Sequence, residues 1–495
     1  MTATAQGAAI PPAPGNSLSS IQHIVVLMLE NRSFDHMLGL LYAGSGNVSP
    51  TGQAFEGLTG RETNPDGSGH SVSVFPIGPS TRNVDHMPGA DPGEGFAATN
   101  LQLFGSSMPA PGAAPTNLGF VTNFAATLAW ESKKPGWAPR AGTTAGDIMG
   151  IYTPAMLPVL SGLARGFAVC DHWYSSVPTE TLPNRAFACA GTSQGHMDDA
   201  TKTYTSPSIF GLLTSHGIGW KIHGYDSSPL TRLNFPDTTH APESNFGLFK
   251  DFQADAAAGS LAAFTFLEPS WGAAGNSQHP DYSLALGEKL IHDVYQALRS
   301  GPGWDQTLFV ITYDEHGGCF DHVAPPATAT PPDNAAGEFG FDFKRFGVRV
   351  PAVLVSPLIA AGTVFRVPAG ATPLDHTSIL KTVETRWGLP ALTARDAAAQ
   401  DIGPALTLQV ARTDDPLAGV VLPVPATVDP AEAPISHLEQ VHAELVARLP
   451  VPDAAGGTVH AMPLLRTSAQ AKAYIDDRIA AWKASRNAPP KPSIT

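Results

Sequence analysis

The sequence predicts an α/β protein, a mostly parallel sheet with helices on both faces, and two observations carry that prediction. Strand-like and helix-like segments alternate along the chain, the order that builds a parallel sheet. The first strand-like segment, residues 24–29, is also an unbroken apolar run, as in a strand buried on both faces, and lacks the alternation of a half-exposed one. A chain of 495 residues is long enough for one large α/β domain or for two.

Taken in order, a Pro-rich leader precedes that first strand, and "NRSFDHMLGLLY" then reads as the start of a helix. Residues 43–139 are rich in Gly, Pro, Ser and Asn with few periodic segments, the pattern of functional lids and binding loops or of an insertion. Helical spacing returns in "GDIMGIYTPAMLPVLSGLARGFAV". "GLLTSHGIGWKIHGY" ends a helix at Gly217 and continues as a strand, and "AAFTFLEP" is a strand that breaks at Glu268. "DYSLALGEKLIHDVYQALRS" predicts a helix, "TLFVITYDEHGG" a strand and turn, "VRVPAVLVSPLI" a strand and "TSILKTVETRWG" a helix. The last hundred residues change character: "ISHLEQVHAELVARL" and "SAQAKAYIDDRIAAWKASR" are two amphipathic helices joined by a Pro/Gly-rich loop.

Bulk properties exclude several functions. A formal charge of −14 with no basic cluster argues against nucleic acid and against docking on anionic lipid. Three cysteines without framework spacing read as core thiols. The first twenty residues lack the basic and apolar regions of a secretory signal, and no apolar run approaches the ~20 residues of a spanning helix. The expected location is therefore the cytoplasm, or outside it by a route without a recognisable signal. Oligomeric state is not readable.

The chemistry gathers where strands end. The first strand stops on Glu30 and Asn31, and the run 309–313 stops on Asp314 and Glu315. Ligands of open α/β sheets bind outside the carboxyl ends of strands. Carboxylates brought together there repel unless a cation lies between them, and an all-oxygen donor set suits a hard divalent ion. The competing reading is that both pairs cap strand-to-loop turns. Gly317 and Gly318, directly after the acids, favour a site, because glycine permits tight turns and close approach. In "SSVPTETLPNRAFACAG", Thr179, Thr181, Asn184 and Arg185 lie in a Pro-stiffened loop leading into a helix. A hydroxyl near a metal can attack phosphorus or sulfur, with Arg185 and the helix start holding the anionic ester; ordinary turn chemistry is the alternative. Of 17 histidines, His223, His279, His322 and His376 stand in polar company suited to proton transfer. His36, His70, His216, His292, His437, His442 and His460 read as ordinary surface or core residues.

The segments "HIVVLMLENRSFDHMLG", "SVPTETLPNR", "SQHPDYSLALGE", "ITYDEHGGCFDHVAPP" and "LDHTSILKTVE" resemble the bacterial phosphoesterase family of non-haemolytic-type phospholipases C and respiratory-burst-inhibiting acid phosphatases, over about residues 21–390. The resemblance implies an alkaline-phosphatase-like fold and one divalent metal ion held by Glu30, Asn31, Asp314 and Glu315, with Thr181 as nucleophile and further ligand. It also implies that His279 and His322 contact the phosphoryl group or leaving oxygen, with His376 nearby and His223 a weaker candidate. The ion is Mg, Ca, Mn or Zn. One departure bears on substrate choice and pH optimum. Many relatives carry a His after an Asp-Pro pair in the early loop, whereas "DPGEGF" offers Glu94, with His86 a little upstream; either Glu94 takes that place or the loop has shifted. "TLPNR" is spaced like the Cys/Ser-x-Pro-x-Arg motif of sulfatases, but threonine cannot give their aldehyde, so a phosphate ester is the better substrate.

The expected organisation is a flexible leader 1–20, a catalytic domain 21–400 with active-site loops at about 43–140, an extension 401–486 with two amphipathic helices, and a frayed tail 487–495. The expected reaction is phospholipase C-type cleavage of a phosphodiester, such as that of a phospholipid head group, through a phospho-threonine. The alternatives are an acid phosphatase using the same residues, and a binding protein on the same scaffold, which would show a damaged ligand pair or no nucleophile. A choline head group would want an aromatic cage, for which Trp130, Trp137, Trp173 and Trp271 are available, although packing is their more usual role.

Overall fold

A computed structural model describes residues 18–134, 138–202, 204–425, 428–452, 458–459 and 462–487. Most of the expected leader, Trp137, His460 and the expected tail beyond residue 487 lie outside them. Eight strands form the main sheet: β1 (His23–Leu29), β2 (Ala168–Val169), β3 (Trp220–Gly224), β4 (Phe246–Leu248), β5 (Phe264–Leu267), β6 (Thr307–Tyr313), β7 (Ala352–Val355) and β8 (Thr363–Val364). Their spatial order is β8-β2-β7-β6-β1-β5-β3-β4. Every pairing is parallel except those of β7, which runs against both β6 and β2. The mostly parallel sheet read from the sequence is thus observed.

All seven residues of β6 are buried. Successive side chains of a strand point to opposite faces, so both faces of the sheet centre are covered. The helices include α1 (Phe34–Leu38), α2 (Phe96–Phe104), α3 (Phe120–Glu131), α4 (Pro158–Gly166), α5 (Thr181–Ala190), α6 (Leu284–Ser300), α7 (Thr377–Trp387), α8 (His437–Ala447) and α9 (Ser468–Asn487). Helix α4 packs on α6, and α5 on α7. The three cysteines are free and buried.

Two expectations need correction. The stretch from 43 to 139 holds two regular helices, α2 and α3. Much of the inward face of α2 is polar, with Thr99, Asn100 and Gln102 buried beside Leu103, so it leaves no apolar period to read. The helical reading of 146–169 also spans a strand, Gly150–Tyr152, paired with Phe75–Ile77. The helix there starts only at Pro158, where a proline is tolerated because the first-turn N–H has no intrahelical partner.

Beyond residue 400, Ile402, Ala405, Leu406 and Leu417 still belong to the main core. Helices α8 and α9 pack on each other and build a second apolar cluster, which takes in Leu182, Leu230, Leu233 and Trp271 from the body. No helix among the described residues is long and apolar enough to cross a membrane.

Candidate active site

Parallel pairing sets Leu29 opposite Tyr313, so Glu30 and Asp314 leave the sheet side by side at its carboxyl edge. Asn31 turns there with φ 56°, a left-handed conformation that asparagine tolerates better than most residues. Its N–H donates to Asp314 Oδ1 at 2.9 Å, and the Glu315 N–H donates to the same oxygen at 2.8 Å. Gly317 and Gly318 follow at φ 60° and 65°. A Cβ on Gly317 would stand 2.0 Å from the Asn31 carbonyl oxygen, and one on Gly318 2.5 Å from that of Gly93. The paired glycines let the acid turn close onto Asn31 and onto the loop that carries Glu94.

Thr181 opens α5 and is 2% exposed. Its hydroxyl donates to Asn31 Oδ1 at 3.2 Å. The turn before it is fixed by Asn184, whose Oδ1 accepts from the Val177 N–H and whose Nδ2 donates to the Thr179 and Glu180 carbonyls. Asp199 accepts the Leu182 N–H at 2.6 Å and so satisfies one free donor of the first helical turn.

This corner concentrates buried negative charge. Burial, with Asp314 adding to it, pushes Glu30 up to about 7. Burial and then Asp314 hold Glu315 well above the usual carboxylate range. Glu30 Oε2 and Glu315 Oε1 are buried without a hydrogen-bond partner. Buried polar atoms of this kind call for a partner. A divalent cation bound through oxygen would satisfy both atoms and offset the repulsion, so the donor set Glu30, Asn31, Asp314, Glu315 and Thr181 fits one. Two tighter groups also occur among the described residues: Asp91, Glu94 and His279, and Asp35, Asp321 and His322, each with its ligand atoms within 4.8 Å of one another. Glu30, Asp314 and Glu315 do not close to that distance.

Glu94 accepts from Asn31 Nδ2 at 2.5 Å, which brings it into the site. Burial, then Asp91 and Glu315, raise its carboxyl well above the ordinary value. His279 points Nε2 at Asp91 Oδ1 and Glu94 Oε2, 3.9 Å from each. Its Nδ1 lies 3.0 Å from the Pro280 carbonyl, and its ring stacks on Tyr282.

Among the described residues, the side chains of the remaining candidates make no hydrogen bond to that of Thr181. Arg185 is largely engaged by the protein: its Nε donates to Asp314 Oδ2 at 3.0 Å, its Nη2 donates to the Met28 and Leu29 carbonyls, and its guanidinium lies over Trp271, while its Nη1 is buried without a hydrogen-bond partner. His376 is fully buried between the Asp314 carbonyl, 2.6 Å from Nε2, and the Trp173 indole, and so props the Asp314 backbone. His322 Nδ1 meets Asp35 Oδ2 at 2.6 Å, in a cluster completed by Asp321 and Arg349. His223 meets the Leu248 carbonyl at 3.2 Å, and burial lowers its pKa. No hydrogen bond or ion pair among the described residues joins His223, His322 or His376 to Thr181. The tryptophans are likewise dispersed, with Trp173 on His376, Trp271 under Arg185, and Trp130 58% exposed beside Lys134.

Sequence reasoning missed several residues that build the site. Asp91 stands three positions before Glu94, inside the quoted loop motif. Buried Arg32 follows Asn31 and donates to the carbonyls of Met87, Gln278 and His279, which fixes the His279 loop. Gln102, on the polar face of α2, lies between His316 Nε2 (2.7 Å) and the Gly93 carbonyl (2.6 Å), and His316 meets Glu315 at 3.1 Å. That chain joins the strand-end acids to the Asp91–Glu94 loop.

A family model described as the phosphoesterase family matches residues 21–390. Non-specific phospholipase C6 of Arabidopsis thaliana is 36% identical over 452 residues, covering 87% of this chain and 81% of that protein. Phospholipase C A of Mycobacterium tuberculosis is 29% identical over 431 residues, covering 77% of this chain and 75% of that protein. Among solved structures, a protein of the alkaline phosphatase superfamily from Vibrio parahaemolyticus matches with a TM-score of 0.30 and 13% identity, over 50% of this chain and 63% of that one.

Proposed function

This chain belongs to the phosphoesterase family and is a hydrolase of phosphate esters, and from that premise we propose that it cleaves phosphodiesters in the manner of a phospholipase C, with Thr181 as nucleophile. The observation that carries the reading is the placement of Thr181 Oγ1 at 3.2 Å from Asn31 Oδ1, at a helix start beside buried carboxylates whose oxygens lack partners. The names of the relatives support a diester as substrate.

Glu30, Asn31, Asp314, Glu315 and Thr181 would hold the divalent cation. Bound there, such an ion lowers the pKa of a nearby hydroxyl and offsets charge that develops on phosphoryl oxygens. Asn31 orients the Thr181 hydroxyl through its amide oxygen, and Arg185 and His376 hold Asp314 from behind. Thr181 gives up its proton as Oγ1 forms a bond to phosphorus, the bond to the leaving oxygen breaks and that oxygen takes up a proton to depart as the alcohol, leaving a phospho-threonine that still carries the second ester group and that water then hydrolyses. His279, Glu94 and Asp91 form the wall facing the bound ester.

The test is hydrolysis of p-nitrophenyl phosphorylcholine and p-nitrophenyl phosphate after chelation and single-metal add-back. Faster turnover of the diester, falling at least about a thousand-fold in Thr181→Ala, is expected, together with a phosphorylcholine adduct on Thr181 in protein acid-quenched during diester turnover, read by mass spectrometry. Preference for the monoester would make the protein a phosphatase, and full activity in Thr181→Ala would remove the nucleophile from the scheme.

A further inference from the structure

Side-chain exposure marks the way out of the site. Thr181 is 2% exposed, the Glu94 side chain 18% and that of Asp91 55%, so the opening lies over the loop that carries the two acids. Two elements flank that loop, and each puts an aromatic ring into solvent.

On one side Gly95 leads into Phe96, the first residue of α2, and a Cβ on Gly95 would stand 2.6 Å from Glu180, the residue before Thr181. The Phe96 ring stacks on Phe339 at 5.9 Å and meets Phe341 edge-on at 5.3 Å. Phe341 and Phe343 are buried in one cluster with Val177 and Phe187, which foots this loop on the turn and helix of Thr181. Phe339 itself is 66% exposed and has φ 57°, a left-handed conformation unfavourable to a bulky residue. Backbone held this way is concentrated where proteins contact ligands. On the other side the last turns of α3 lie against Gly93, where a Cβ would stand 3.1 Å from Thr127 Oγ1 and 3.2 Å from Asn123 Oδ1. Trp130 is the neighbour of Thr127 on the helix surface, exposed, with Lys134 Nζ 3.9 Å over its ring.

Single exposed apolar side chains are ordinary and need no explanation. Among the large ones exposed in the described residues, however, only Trp130 and Phe339 are aromatic, and both stand beside the opening. Aromatic rings of this kind gather where hydrocarbon meets water, and the apolar area they bury there supplies binding. Charge selects the kind of surface. The chain carries −14 with no basic cluster, and the opening holds two acids to one imidazole, so an anionic surface is repelled. A zwitterionic surface has no net charge and offers cationic groups that those acids can face.

We propose that Phe96, Trp130 and Phe339 seat the opening on a zwitterionic phospholipid surface, so that a lipid phosphate reaches Thr181 from the bilayer. This inference rests on the diesterase reading for what the docking serves, but the docking itself is measured without catalysis.

The test uses phosphatidylcholine vesicles and protein kept in chelator. Wild type is expected to sediment with the vesicles, and a double variant, Trp130→Ser with Phe339→Ser, to partition at least about tenfold less, with circular dichroism as a folding control. The three native cysteines are buried, so Phe339→Cys can carry an environment-sensitive dye, whose emission should move to the blue on adding vesicles. The same dye on Val410→Cys should not respond. Val410 is exposed two residues before Arg412, whose N–H bonds to Pro357; antiparallel β7 delivers Pro357 to the sheet edge opposite Thr181. No binding by wild type, equal binding by the double variant, equal shifts at both dye positions, or binding confined to anionic vesicles would each overturn the proposal. So would a blue shift that grows with protein concentration in the absence of vesicles, which would assign the rim to a second copy of this chain. Vesicle binding without hydrolysis of p-nitrophenyl phosphorylcholine after metal add-back would support this surface and overturn the diesterase reading, and hydrolysis without binding would do the reverse.

Discussion

With φ at 60° and the Asn31 carbonyl oxygen 2.0 Å from where a Cβ would stand, Gly317 cannot be replaced without moving Asn31. Asn31 in turn places the Thr181 hydroxyl, so a change that adds one methyl should act on chemistry more than on folding. Gly317→Ala is expected to cost about 1–2 kcal/mol for the left-handed residue alone, and roughly 10²-fold or more in kcat through the displaced donor. Thermal melting and steady-state kinetics on one preparation would check it; wild-type kcat in a folded variant would mean that the turn has slack. At this scale the sequence was informative where chain order sufficed. Glu30, Asn31, Asp314, Glu315 and Thr181 sit at strand ends or a helix start, and the structure gathers them. The Asp314 partner of Arg185 was not legible, because it is 129 residues away and no local pattern tells that a guanidinium bonds to a buried carboxylate.

Elements were legible in proportion to how apolar their inward faces are. β1 and β6 read as strands because nearly every residue is apolar and buried. α2 was missed because its inward face carries Gln102, which hydrogen-bonds to Gly93 and Asn123. A second polar contact of this kind fixes α4. Leu157 gives that helix no side-chain cap, and Glu288 of α6 supplies one from outside, accepting the Val159 N–H at 2.6 Å and the Leu160 N–H at 3.2 Å. Burial pushes Glu288 up to about 8 from 4.5, although both N–H donors oppose the shift. Below the lower value folded and unfolded chains are both protonated there. Between the two values the folded chain keeps a proton that the unfolded chain has released, so stability falls as pH rises through that window, by about 1.4 kcal/mol for each unit of difference. Glu288→Gln, which cannot ionise, should escape this decline. Urea unfolding at pH 5, 6.5 and 8 should show the variant gaining a few kcal/mol on wild type as pH rises; parallel curves would mean that Glu288 ionises in the folded protein at no cost.

At the scale of the molecule, the C-terminal helices are tied to the catalytic end of the chain. Leu182, the residue after Thr181, belongs to the cluster formed by α8 and α9, as does Trp271 beneath Arg185. Polar ties follow the same seam: Thr201 bonds to Glu444, the Arg448 guanidinium donates to the Thr201 carbonyl at 3.3 Å, and Lys483 pairs with Glu243 at 2.9 Å. His437 approaches Asp199 at 3.8 Å, and Asp199 is the residue that holds the first turn of α5. A chain ending before α8 would expose Leu182, Leu230, Leu233 and Trp271, and fully burying an apolar side chain of this size contributes about 1.5–3 kcal/mol. The loss should be felt first where the cluster meets Thr181. Protein truncated after residue 425 is therefore expected to melt several degrees lower, to bind a dye that reports exposed apolar surface, and to lose kcat by more than KM changes, because the nucleophile's helix loosens while the wall facing the ester stays intact. Hydrogen exchange gives the deciding observation. If the amides of Thr181–Ala190 exchange no faster in the truncated chain, the helices stabilise the molecule without positioning its nucleophile, and a drop in kcat would need another cause.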